Sequence, residues 1–299
     1  MPGISDIKIH RKPYGPVMQI RNSTNPDGSE LDYLTFPALE CYDMVQHAVS
    51  TRFGGVSKGI FSSMNLSFTR GDDDNAVREN FRRYARLFHT TEDHFVLSYQ
   101  THTVNVREIT EEDAGKGLTR ERGFTDVDGL VTNVPGLVLG IFAADCIPLL
   151  FLDPVHKAIG ASHAGWRGTV GRIGRVTVEK MHALYGTEPK DLICTIGPGI
   201  CQDCYEVSAD VADQFMKEFP QHVVEILRER ATTDQGERKF LLDLYRANTI
   251  VLKDAGVLQE HISITDICTC CNPALLFSHR FTHGRRGNNA VFMKLQREH

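Results

Sequence analysis

The chain has 299 residues, 41% hydrophobic and 24% charged, with a formal net charge of -5. This is the composition of a folded protein, with no stretch polar and charged enough for disorder. Its scattered cations exclude the basic face that phosphate-backbone binding needs, so nucleic acid is not an expected partner.

The first residues, MPGISDIKIHRKPYGP, contain no apolar secretory core, which predicts a cytoplasmic protein. Its eight cysteines are then expected to be reduced, metal-bound or buried. The turn formers NSTNPDGSE close an N-terminal extension over residues 1–30, and one domain is expected over 31–299, because no linker or repeat divides the rest. Apolar runs of strand length follow: MVQHAVST from Met44, FVLSYQ from Phe95, LVLGIFAA from Leu137, PLLFLD from Pro148, KAIGASHAG from Lys157, LICTIGP from Leu192 and AVFMKL from Ala290. Helical patterns alternate with them, which predicts a mixed α/β fold. Val77, Phe81, Tyr84 and Phe88 form the stripe of one helix, with Asp74 as its N-cap. A second helix is predicted over Thr169–Tyr185, stopped by Gly186, and two more over Ala209–Phe219 and Leu242–Ala255. The longest apolar stretch is broken by Asp145 and Pro148 and falls short of the roughly 20 residues that span a bilayer, so no membrane segment is expected.

Three segments can carry chemistry. In SHAGWRGTVGRIG, Ser162–Gly174, a strand runs into a Gly-rich turn, where Gly165 and Gly168 let the backbone approach a neighbour closely. That segment reads either as a ligand site around His163 and Arg167 or as a tight turn with Trp166 covering the core. In AADCIPLLFLD, Asp145 needs a partner if it is buried, such as a histidine, an arginine or a substrate. Cys146 beside it reads as a ligand or as a small buried hydrophobe. In YQTHTVNV, His102 falls at a strand end or turn. The separations, 44 residues from His102 to Cys146 and 17 from Cys146 to His163, match no zinc finger, so any site built from them is assembled by the fold. Cys201 and Cys204 make a CxxC, and Cys268, Cys270 and Cys271 stand in the run CTCC. Together they could form a second, structural zinc site. Arg280, Arg285 and Arg286 suit a small anion.

These motifs stand in order with others: TRFGGVS from Thr51, NLS from Asn65 with GDD following, QTH, ADC, HAGWRGT, IGPGI from Ile196, CYEV from Cys204, DL at Asp243 with Asn248 beyond, and FSHR from Phe277. The series resembles the YfiH-type laccase-domain proteins, also called polyphenol oxidase family proteins, across about residues 31–297. The resemblance implies a single-domain layered α/β sandwich, with two mixed sheets flanked by helices. It implies metal ligands at His102, Cys146 and His163, holding zinc or alternatively copper. Three protein ligands leave a fourth position open, as in catalytic rather than structural sites.

The implied activity is phosphorolysis of adenosine, inosine, guanosine or methylthioadenosine, with adenosine deamination beside it, so purine nucleoside and phosphate are the expected partners. Arg52, in a Gly-rich turn between Thr51 and Ser57, is the expected phosphate holder. Asn65, Arg167 and Arg280 are further substrate-binding candidates, and Asp145 is a proton carrier. FSHR departs from the commoner double-arginine form, so Arg286 can stand in for Arg280. Rival readings are a polyphenol oxidase, a cysteine hydrolase linked to peptidoglycan editing with Cys146 as nucleophile and His163 as base, and a zinc-stabilised interaction module. None of the 13 histidines makes the His-x-His pair of multicopper laccases. Nothing in the residues sets an oligomeric state.

Overall fold

The architecture follows from strands that are apolar on both faces. In the computed structural model, which describes Lys8 and residues 18–230 and 237–297, two six-stranded sheets stack against each other. The first has the order Gln19–Thr24, Glu30–Thr35, Val45–Ser50, Asn289–Leu295, Val138–Ala143, Phe95–Leu97. The second has the order Ile262–Ile264, Ile193–Ile196, Ile147–Asp153, Ala158–Ala164, Gly129–Thr132, Val106–Glu108. Parallel pairs occur only at one edge of the first sheet and both edges of the second.

Side chains alternate across a strand. Ile147–Asp153 therefore sends Leu150 and Leu152 into the layer between the sheets, and Leu149 and Phe151 outward under helices. Asn289–Leu295 does the same, with Val291 and Met293 inside and Ala290 and Phe292 outside. Double burial is why these strands read as unbroken apolar runs.

The outer layers are helical. Asp74–Leu87 lays Val77, Phe81 and Tyr84 on Phe95, Val138 and Phe292 of the first sheet. Phe81 meets Phe292 edge-on at 6.1 Å between centroids, and burying each such ring stabilises the fold by about 1.5–3 kcal/mol. Ile173–Tyr185 and Leu244–Asp254 cover the second sheet with Val178, Met181, Val251 and Leu252. The expected single-domain α/β sandwich is thus present. A third, three-stranded sheet of Glu206–Ser208, Lys239–Leu242 and Leu227–Glu229 was not foreseen.

Several boundaries differ from the sequence reading. The cap of the first long helix is Asp73, whose backbone is extended and whose carboxylate accepts from Asn75 N at 2.9 Å, whereas Asp74 is already helical. The predicted helix Thr169–Tyr185 is two, Trp166–Val170 and Ile173–Tyr185, separated at Arg172 with φ 59°. The guanidinium of Arg172 pairs with Glu218 and Asp254 and holds that break. Gly186 does close the second helix, at φ 73°. Leu242 ends a strand, and Asp243 caps the helix that follows. Gln19–Thr24 pairs antiparallel with Glu30–Thr35, so NPDGS is a hairpin turn and the first sheet begins ahead of Leu31. Turn formers alone do not separate a hairpin from a linker. Apart from Lys8, the extension before residue 18 lies outside the described residues. Among the described residues no helix is long and apolar enough to cross a membrane.

Candidate active site and its metal ligands

Cys146 and His163 meet through the pairing of two strands. Ile147–Asp153 and Ala158–Ala164 are antiparallel with Pro148 opposite His163, so Cys146, just ahead of one strand, comes beside the end of the other. His102 arrives from the turn beyond Phe95–Leu97 with a left-handed φ of 65°. The donor atoms of the three residues lie within 4.8 Å of one another, and the two imidazole centroids are 4.9 Å apart. His163 is buried, Cys146 half-buried and His102 exposed, so the cluster is open on one side.

Gly165 shows how tightly this space is drawn. A Cβ there would lie 2.6 Å from His102 Nδ1, closer than packing allows, and a tight 3.2 Å from Cys146 Sγ. The turn glycine is required for room, since its φ of -67° suits any residue.

Asp128, missed in the sequence, organises the centre. Its carboxylate accepts from the amides of Thr101 (3.0 Å), His102 (3.1 Å) and Thr103 (2.9 Å), and from His163 Nδ1 at 2.8 Å. That last bond fixes the ring and leaves Nε2 as the nitrogen available to a ligand, the carboxylate–histidine pairing common behind metal sites. Burial works against the Asp128 charge, but His163 and the two threonine amides outweigh it and hold the carboxyl below its usual range. Burial alone would lower the His163 pKa, yet the sulfur of Cys146 and the carboxylate of Asp128 push it up to about 9. His102 is lowered by burial and by His163. Two imidazoles with a thiolate make a donor set that could hold zinc or copper.

A cavity of about 420 Å³ opens onto the three donors, with Arg70, Arg122, Arg286, Tyr99 and Phe142 among its walls. Arg286 is 8% exposed. It donates through Nη1 to Gly287 O at 3.0 Å and to Asn288 Oδ1, while its buried Nε has no partner. Burial first and Arg70 second lower its pKa to about 10, so it keeps its charge. Arg122 donates to Leu97 O at 3.1 Å and stacks on Tyr99. Arg70 and Arg122 carried no sequence signal beyond the GDD motif next to Arg70. Asp128 could have been found, because TDVDGL sets a carboxylate against an apolar strand, the reasoning already applied to Asp145.

The other candidates fall elsewhere. Arg52 does not line the cavity: its guanidinium donates to Ser62 O (3.1 and 2.9 Å) and Pro273 O (2.7 Å) and stacks on Phe277, which fastens two loops together. Asn65 is fully buried, donating to Asp72 Oδ2 and Ser67 O and accepting from the amides of Ser67 and Asn288. It shapes the cavity wall and has no group left for substrate. Asp145, at φ 88°, turns its carboxylate to the Thr269 hydroxyl and the Arg280 amide, both at 2.6 Å, and is not a cavity wall although Ala144 and Cys146 are. Its buried charge has the partners that the sequence demanded, one on each carboxylate oxygen. Arg280 itself donates to Glu206 O at 2.8 Å and stacks on Tyr205. Arg167 is exposed, lies over Trp166 at 4.2 Å, and its charge is felt at His102. The sulfurs of Cys201, Cys204, Cys268 and Cys271 also gather within 4.8 Å of one another, whereas Cys270 is not in that group.

A family model described as a multi-copper polyphenol oxidoreductase laccase matches residues 46–296. The chain belongs to this family. The laccase-domain protein is 34% identical over 248 residues to purine nucleoside phosphorylase YlmD of Bacillus subtilis strain 168, covering 83% of this chain and 87% of that one. It is 35% identical over 235 residues to adenosine deaminase RL5 of an unknown prokaryotic organism, covering 78% and 87%. The crystal structure of YlmD from Geobacillus stearothermophilus superposes with a TM-score of 0.83 at 31% identity, covering 95% of this chain and all of that one. The resemblance read from the ordered motifs is borne out.

Proposed function

We propose that this protein is a zinc-dependent purine nucleoside phosphorylase acting on adenosine, inosine, guanosine or methylthioadenosine, with adenosine deaminase activity at the same site. The observation that carries the reading is the three-donor cluster of His102, Cys146 and His163 opening into a cavity walled by arginines. The names of the relatives support the same chemistry. His102, Cys146 and His163 would hold the zinc ion, which would supply Lewis-acid polarisation and, for deamination, a water of lowered pKa. Arg286 and Arg70 hold the phosphate, and Asp128 fixes the His163 ring. Phosphorolysis breaks the N-glycosidic bond, forms the bond from C1′ to phosphate oxygen, and releases the purine. The anion holder passes from Arg52 to Arg286 in this reading, and Asp145 becomes a positioning residue.

The test is chromatography of products after incubation with adenosine and inosine, with and without phosphate, beside Cys146→Ala. Phosphate-dependent release of adenine or hypoxanthine, lost in the variant, is the expected result. Absence of both base release and deamination would overturn the reading. A second reading has one observation behind it: Cys146, His163 and Asp128 line up in the order of a thiol nucleophile, its base and the base's orienting carboxylate. A thiol hydrolase survives chelation and dies on alkylation, whereas the zinc phosphorylase is lost on chelation.

A further inference from the structure

We propose that Cys201, Cys204, Cys268 and Cys271 bind a structural zinc ion, forming a second metal site separate from His102, Cys146 and His163. The four residues are two CxxC pairs whose corresponding cysteines stand 67 positions apart in the chain. Folding brings the pairs together, with all four sulfurs within 4.8 Å of one another. Cys204 Sγ stands 3.3 Å and Cys201 Sγ 3.9 Å from Cys271 Sγ. Four sulfurs about 2.3 Å from one tetrahedral zinc stand roughly 3.8 Å apart, so the cluster already has the size of a tetrathiolate cage.

The backbone supports the same geometry. The Cys201 amide donates to Cys268 Sγ at 3.2 Å, and the Cys204 amide closes a turn on Cys201 O at 3.1 Å. Gly199 and Cys268 form an isolated parallel bridge that aligns the two pairs. Four soft thiolates in a tetrahedron select zinc over hard cations, and the fully occupied ligand set marks a structural role.

Such an ion fastens the loops that hold the first site. Thr269, next to Cys268, donates its hydroxyl to Asp145 Oδ1 at 2.6 Å and its amide to Gly199 O at 2.9 Å. The Ile200 amide donates to Asp145 O at 2.9 Å. Both cysteine pairs therefore grip the residue that precedes Cys146. The site stands independently of the activity proposed above.

Elemental analysis of His102→Ala/His163→Ala protein, purified under reductant without chelator, isolates this site. One zinc per chain is expected to remain, and its cobalt-exchanged form should show strong thiolate charge-transfer absorption. Adding Cys204→Ser/Cys271→Ser should remove that ion. No zinc in the first protein, or unchanged zinc in the second, overturns the proposal. If the cysteine variant does not fold, stepwise thiol modification of the first protein replaces it: zinc release should follow modification of the four thiols, and release without it overturns the assignment.

Discussion

The two donor clusters differ in number and in surroundings more than in chemistry. His102, Cys146 and His163 come from three separate segments, offer three ligands and face a cavity with arginines in its wall. The four cysteines come from two short knuckles, offer four ligands, and none of them lines that cavity. An incomplete ligand set leaves a position for substrate, while a complete one leaves only a cross-link. Cysteine takes part in both, so ligand count and access, not residue type, separate chemistry from architecture.

The comparison breaks first if Cys146→Ala keeps its activity. Loss of the open-site ligand is expected to lower kcat/KM for phosphorolysis by about 10³-fold, equal to about 4 kcal/mol, with the melting temperature little changed. Steady-state kinetics beside thermal unfolding reads both quantities. Next comes a control far from both clusters. His47 is buried and accepts from Phe36 N–H at 2.8 Å through Nε2, and burial lowers its pKa from 6.5 to about 4. The unfolded chain therefore takes up this proton first, so the contribution is whole above pH 6.5 and is lost as pH falls toward about 4. The loss should reach about 3 kcal/mol. It should persist in chelator-treated protein and vanish in His47→Gln, as urea unfolding across that range will show. If chelation abolishes it, the acid sensitivity belongs to the metal clusters.

Asp128→Asn should weaken metal binding at the open site by roughly 10–100-fold, the usual cost of losing a carboxylate behind a ligating histidine. Competition with a metal-binding dye measures that, and the cysteine cluster should keep its ion. The smallest effect is expected at Arg286→Gln, which should raise the KM for phosphate about 10-fold with kcat nearly held, since a charged hydrogen bond contributes about 1.5–3 kcal/mol. An unchanged phosphate KM would return the anion to Arg70 or Arg122.

Much of this was legible before the fold. Unbroken apolar runs located the strands because both faces are buried, and the ordered motifs picked out the three donors. Their meeting was not legible from spacing, since it depends on a strand register and on a turn with positive φ at His102. Arg52, Asn65 and Asp145 drew attention because each carries polar groups in a conspicuous turn, and in the structure those groups bond to neighbouring loops. Sequence marks where polarity is buried without saying whether the chain itself supplies the partner. Asp128 shows the converse, a carboxylate set against an apolar strand as Asp145 is, but with five donors converging on it beside the three-donor cluster.

The hairpin that joins Ile147–Asp153 to Ala158–Ala164 also sets where the chain can change length. The strands stay paired if residues are added in the turn Pro154–Lys157, at an entropic cost that grows only slowly with loop length. One residue inserted between Ile159 and Ser162 would instead shift every later side chain to the opposite face and carry His163 away from Cys146. Within a few residues of one another, this protein therefore has a segment where an insertion keeps the strand register and another where a single one erases the site.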